Sequence, residues 1–173
     1  MRGTTELLEA ARKDDPEAQC ELAMAYLEGH EVGKDVQQAL HWFSRAAEHG
    51  NTQAQVELGK IFMMGVGVQR DLVEAFRWIQ SAYILNMTQQ GLAKVQESPD
   101  DPLSNFQLEV TVRNLSEAKR WLASQMTLNQ ISEAQQRAIK FLFKIREQTL
   151  QTSSDAGKNG PSATEPPNNP PGN

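Results

Sequence analysis

The sequence predicts an all-α protein, specifically an α/α solenoid, and three observations carry that expectation. A 36-residue pattern is written twice without a gap from Pro16 to Met87. Helix-capping signals fall at the same places in both copies. Beyond them, apolar residues keep a helical spacing to about Gln148. A fixed period in the thirties, rich in helix formers, marks hairpins that are each too small to bury an apolar face and must stack on their neighbours.

The repeat is read residue by residue. Ala18 returns as Ala54, Gln19 as Gln55, Leu22 as Leu58, Gly29 as Gly65, Asp35 as Asp71, Ala39 as Ala75 and Trp42 as Trp78, each 36 positions on, and Tyr26 returns as Phe62. Ahead of the first copy, Thr4 to Lys13 reads as a leading helix with Leu7, Leu8 and Ala11 on one side, a half-repeat packed on the first full one. Asp14 and Asp15 before Pro16 are the order of an N-cap followed by proline at the first helical position. The helix from Pro16 to Glu28 turns Ala18, Leu22, Ala23 and Tyr26 to one stripe and ends at Gly29.

His30 to Lys34 forms the turn. Asp35 caps the second helix, with Gln38 three residues on at capping-box spacing. Ala39, Trp42, Phe43 and Ala46 face inward on it, and Gly50 stops it. Asn51 to Met64, Gly65 to Arg70, and Asp71 with Glu74 repeat the helix, the turn and the box.

The string Ala-x-x-x-Leu-Gly-x-x-Phe-x-x-Gly-x-Gly-Val-x-x-Asp-x-x-x-Ala-x-x-Trp, from Ala54 to Trp78, resembles the Sel-1-like repeat, an α/α relative of the tetratricopeptide repeat. The first copy departs from it with Ala23 in place of the glycine and Glu31 where Gly67 stands. The resemblance covers Pro16 to about Asn86 and implies a scaffold for protein complexes, in bacteria often linked to signalling, secretion or envelope processes. It gives residues 1–150 as one helical domain: a leading helix at 4–15, repeats at 16–51 and 52–87, a degenerate third repeat at 88–126 and a capping helix at 127–150.

The third repeat rests on Asn114, Ala118 and Trp121, which stand 43 positions after Asp71, Ala75 and Trp78. Ser98-Pro-Asp-Asp-Pro102 is where the seven extra residues belong, because prolines break helices. Asn114 with Glu117 has capping-box spacing. Met126 to Gln135 is similar to a terminal helix that closes bacterial arrays of this family, with Thr127 as N-cap and Gln130 as its partner. Ile131, Ala134, Ala138, Ile139, Leu142 and Ile145 supply that helix's apolar face. From Gln151 to Asn173 apolar side chains nearly vanish, so this tail is expected to be disordered.

Composition narrows the function. The formal charge is −5 with scattered Lys and Arg, which argues against a surface that tracks phosphates, so nucleic acid is not an expected partner. No apolar run of spanning length occurs, so membrane insertion is not expected. The lone cysteine, Cys20, favours a reducing compartment, and the protein is read as cytoplasmic. His30, His41 and His49 lack ligand spacing and Cys20 lacks a legible base, so no catalytic residue, metal or cofactor is expected. Asp35 and Asp71 are caps, and Trp42, Trp78 and Trp121 are core.

One face resists a purely structural account. Cys20, Met24 and Leu27 lie on the side of the first helix away from its core stripe, and Val56, Lys60, Met63 and Met64 repeat that side in the second copy. By resemblance this side lines the concave groove, and methionine suits adaptable binding surfaces. The expected function is a non-catalytic interaction module or adaptor that binds a protein or peptide there. Two alternatives stand beside it. One is a hydrolase, as reported for members of the wider family that are generally disulfide-rich. The other is a structural homodimer through the C-terminal helix, where Phe141, Leu142, Phe143 and Ile145 spread around more than one face.

Overall fold

A computed structural model describes residues 4–96 and 102–158, with side chains placed for 5–88 and 113–151. Seven helices follow in order: α1 Thr4–Arg12, α2 Pro16–Glu28, α3 Val36–Glu48, α4 Thr52–Met64, α5 Leu72–Gln96, α6 Pro102–Ser124 and α7 Leu128–Lys158. Each helix through α5 packs on the next, and α5 then takes both α6 and α7. The result is a helical solenoid, with no strand among the described residues.

The caps place the repeat helices where the sequence expects them. Asp15 Oδ1 accepts from the Glu17 and Ala18 N–H groups at 3.1 and 3.2 Å. Asp35 Oδ1 accepts from Gln37 and Gln38 at 2.9 and 3.0 Å, and Asp71 Oδ1 from Val73 and Glu74 at 2.9 and 3.0 Å. Asn51 Oδ1 accepts from Ala54 N at 2.8 Å. Each cap satisfies N–H groups that the helix start would otherwise strand.

The reciprocal half of the capping box is not made in the repeats. The Asp35 and Asp71 N–H groups donate instead to Tyr26 O and Phe62 O, at 2.9 and 3.0 Å, which ties the start of each second helix to the end of the first. Glu74 is left for Arg77 and Arg137. At α7 the full box forms: Thr127 N donates to Gln130 Oε1 at 2.9 Å and Gln130 N to Thr127 Oγ1 at 3.3 Å.

Successive repeats are latched by a buried amide. Gln19 Nε2 donates to Ala11 O at 2.9 Å, and 36 residues on Gln55 Nε2 donates to Ala47 O at 3.2 Å. Both glutamines are wholly buried, so each bond spares a carbonyl in the last turn of the preceding helix an unsatisfied burial. Ala11 therefore stands to the first repeat as Ala47 stands to the second. This makes α1 the second helix of a leading half-repeat, with Leu7 buried where Phe43 and Ile79 are buried further on.

Two apolar clusters run through the molecule. The first joins α1 to α4, with Leu22, Phe43, Leu58 and Ile61 at its centre, and takes in Trp42 and Trp78. The second joins α5, α6 and α7 through Phe76, Ile79, Leu115, Leu122 and Ala134.

The C-terminal third departs from expectation. Helix α6 runs unbroken through Asn114, so that residue lies inside a helix and forms no cap. Trp121 is 48% exposed, whereas Trp42 and Trp78 are buried. Leu115 and Leu122 occupy the inward face of α6 instead, and Trp121, next in sequence to Leu122, lies on a different side of the helix. On α7 the inward apolar face includes Ala134, Ala138 and Phe141, while Ile139 is turned out. Residues 151–158, expected in the disordered tail, continue α7 as helix. The remainder of that tail, 159–173, and most of the Ser98–Pro102 break lie outside the described residues.

Candidate functional site

The expected binding face is built by α2 and α4, whose start, period and length are equal, so that side chains 36 residues apart take equivalent places. Cys20 pairs in this way with Val56, Met24 with Lys60, and Leu27 with Met63, while Met64 closes the last turn of α4.

These seven residues differ in what they offer. Cys20 is only 6% exposed and belongs to the first core cluster, which corrects its placement on an open face. Burial, and then the carboxylates Glu57, Glu21 and Glu17, push its thiol up to about 12. A thiol held protonated in this way is a core residue with little nucleophilic character. Met24 and Leu27 are half-buried against the first cluster, and Val56 and Met63 against the second. Lys60 is exposed, with Nζ 2.7 Å from Glu57 Oε1. Met64 is 61% exposed.

Glu57 is the polar centre of this face. Its side chain is almost wholly covered, and it accepts from Lys60 and from Gln53 Nε2 at 2.9 Å. A buried carboxylate needs such partners. The surface left to solvent is therefore the Lys60 side chain beside a methionine-rich last turn, narrower than an apolar groove seven residues long.

A second surface, with no counterpart among the sequence expectations, lies where α7 crosses α5. Phe141 sets its edge on Trp78 with ring centroids 5.0 Å apart. The Arg77 guanidinium lies 3.8 Å over the Trp78 ring and 5.5 Å over Phe141, a geometry that favours a cation on the ring face. Glu74 holds Arg77 at 2.9 Å and Arg137 at 2.6 Å. Above these lies an open groove of 650 Å³ that also meets Phe143 and Lys144. The adjacent Arg77-Trp78 and the Glu74/Arg77 spacing are the local signals of this surface, but nothing local says that α7 covers them.

The histidines serve locally. His30 Nδ1 is 3.1 Å from Glu28, His41 sets its ring edge-on to Trp42, and His49 Nδ1 is 3.4 Å from Gln19 Oε1. Among the described residues no three His, Cys, Asp or Glu side chains gather to hold a metal ion. No described helix is long and apolar enough to cross a membrane.

A stack of capped helical hairpins, latched at a constant period, belongs to the class of α/α repeat proteins. The Sel1 repeat family matches residues 16–51 and 52–87, so the chain carries two Sel1 repeats. Such repeats generally mediate contacts between proteins. Among solved structures the chain is similar to c5321 of uropathogenic Escherichia coli, a protective antigen displaying an SLR fold, at 26% identity and a TM-score of 0.63. That alignment covers 96% of this chain and 30% of c5321, so the chain spans less than a third of that protein's length. A Sel1 repeat protein from Oxalobacter formigenes aligns at 25% identity over 79% of this chain and 99% of its own, with a TM-score of 0.46. No curated protein sequence matches the chain.

Proposed function

We propose that this protein is a non-catalytic interaction module, an adaptor that holds a partner protein or peptide on the exposed side of α2 and α4. The observation that carries this reading is the pair of Sel1 repeats, a fold whose repetition builds extended binding surfaces from equivalent positions. Lys60 and Met64 are the exposed contacts, and Met24, Leu27, Val56 and Met63 supply partly covered apolar support. Cys20 contributes packing from beneath. Its raised thiol speaks against Cys20 as a nucleophile, and the single cysteine of the chain supports a reducing, cytoplasmic setting.

The test separates this face from the rest of the surface. Met64→Asp, which leaves Lys60 on Glu57, should leave helicity and melting nearly unchanged, since exposed substitutions usually change stability by about 0.5 kcal/mol or less. Capture of partner proteins from host lysate should fall at least tenfold, whereas Ile139→Asp on the outer side of α7 should leave that capture intact. Loss with the α7 variant alone would place binding elsewhere.

A further inference from the structure

We propose that two copies of this chain pair through the outward face of α7, running antiparallel, with Ile139 of one copy against Leu150 of the other. This surface is separate from the α2/α4 face and does not depend on it.

Helix α7 has two apolar sides. Ala134, Ala138, Phe141 and Ile145 are the first, turned to α3 and α5, where Phe141 meets Trp78 and Ile145 lies near Gly50. At 3.6 residues per turn, Ile139, Phe143 and Leu150 fall within about 40° of one another on nearly the opposite side. They are 50%, 59% and 60% exposed. Three large apolar side chains in one line along an exposed helix form a seam of coiled-coil type rather than scattered surface hydrophobes.

The charges beside this seam select both the occupant and the direction. A two-fold interface must be self-complementary, each residue meeting its counterpart twice. In the antiparallel register that sets Ile139 against Leu150 of the second copy, Phe143 meets Arg146, which offers its guanidinium to the ring. Lys140 and Glu147 both lie on one flank of the seam, and Lys140 of one copy comes within about 3 Å along the axis of Glu147 of the other, at both ends of the pair. Within the chain neither has an ion-pair partner among the described residues. Parallel pairing would instead set Arg146 against Arg146 on the seam, which like-charge repulsion disfavours, and would put Lys140 of one copy and Glu147 of the other on opposite flanks, out of each other's reach.

Sedimentation velocity of the full chain over a concentration series provides the test. Wild type is expected to move from the mass of one copy, 19.3 kDa, toward twice that mass. Phe143→Glu should remain at one copy with unchanged helicity. Lys140→Glu should raise the dissociation constant about tenfold or more by placing carboxylates together at both ends, and Lys140→Glu with Glu147→Lys should restore it. Oxidation of mixed Ile139→Cys and Leu150→Cys chains should give the 139–150 cross-link in preference to 139–139, with Cys20 buried out of reach. A single-copy mass at every concentration, failure of the double charge exchange to restore pairing, or dominant 139–139 linkage would each overturn the proposal.

Discussion

The two repeats differ most where their letters differ least conspicuously, in the turns and at the helix crossings. Glu31 and Gly67 occupy the same place in their turns and adopt the same left-handed backbone, with φ of 60° and 68°. In the second repeat the glycine is required twice over, because a β-carbon at Gly67 would lie 2.4 Å from Val36 Cγ1 at the start of α3. In the first repeat Glu31 is exposed, so the side chain has room, at the cost of a left-handed backbone. The helix crossing shows the same contrast. A β-carbon on Gly59 would come within 2.6 Å of Ile79 Cδ1, while its counterpart Ala23 carries one and is wholly buried. One repeat unit thus admits two solutions, according to which neighbour presses on it.

The latch differs for a related reason. Gln19 bonds Ala11 O, Asp14 Oδ1 at 3.2 Å and His49. Gln55 bonds Ala47 O, and its Oε1 has no partner among the described residues. The residue 36 positions after His49 is Leu85, which cannot serve that oxygen. The second repeat is instead reinforced from outside, by α7.

The sharpest way to break the equivalence is to remove the tryptophans. Trp78→Ala should cost about 3–5 kcal/mol through lost burial and an unfilled cavity. Trp42→Ala should cost about 1 kcal/mol less, since the ring beside Trp42 is the exposed His41 of its own helix, whereas Trp78 carries Phe141 of α7, and an aromatic pair adds about 0.5–1.5 kcal/mol. Urea denaturation of the two variants measures the gap, and equal losses would show that α7 gains nothing from its seat on Trp78.

A smaller effect tests the helix crossing. Gly59→Ala should cost about 1–3 kcal/mol by overpacking against Ile79, and combining it with Ile79→Ala, which removes both the Cδ1 and the Cγ1 that a β-carbon there would meet, should cost less than the sum of the two single losses. The same denaturation curves check it, and simple additivity of the two substitutions would refute the clash.

The smallest effects have opposite signs in the two turns. Glu31→Gly should stabilise by about 0.5–1 kcal/mol, because relief of the left-handed backbone outweighs the added freedom of the unfolded chain. Gly67→Ala should destabilise by about 1–2 kcal/mol, from the same φ together with Val36. Thermal melts that move in one direction for both would overturn the contrast between a turn with room for a side chain and one without.

Much of the fold is determined by the sequence alone, because its signals are local. Asp15, Asp35, Asn51 and Asp71 start helices by binding N–H groups two or three residues away, and Gly29 and Gly65 end them with left-handed backbone. A cap needs no distant partner, so the helix bounds and the 36-residue period are legible in the order of residues itself. The proposed interaction face is only partly legible in the same way: Lys60 and Met64 are open, but Cys20 is buried, since helical phase gives an angle and not the identity of what lies over it. Only tertiary packing decided that Asn114 sits within α6, that Trp121 faces solvent while Trp78 is covered, and that Phe141 turns inward in place of Ile139. Those choices depend on how α6 and α7 settle on α5. Burial there is set by contacts between residues far apart in the chain, which carry no local mark.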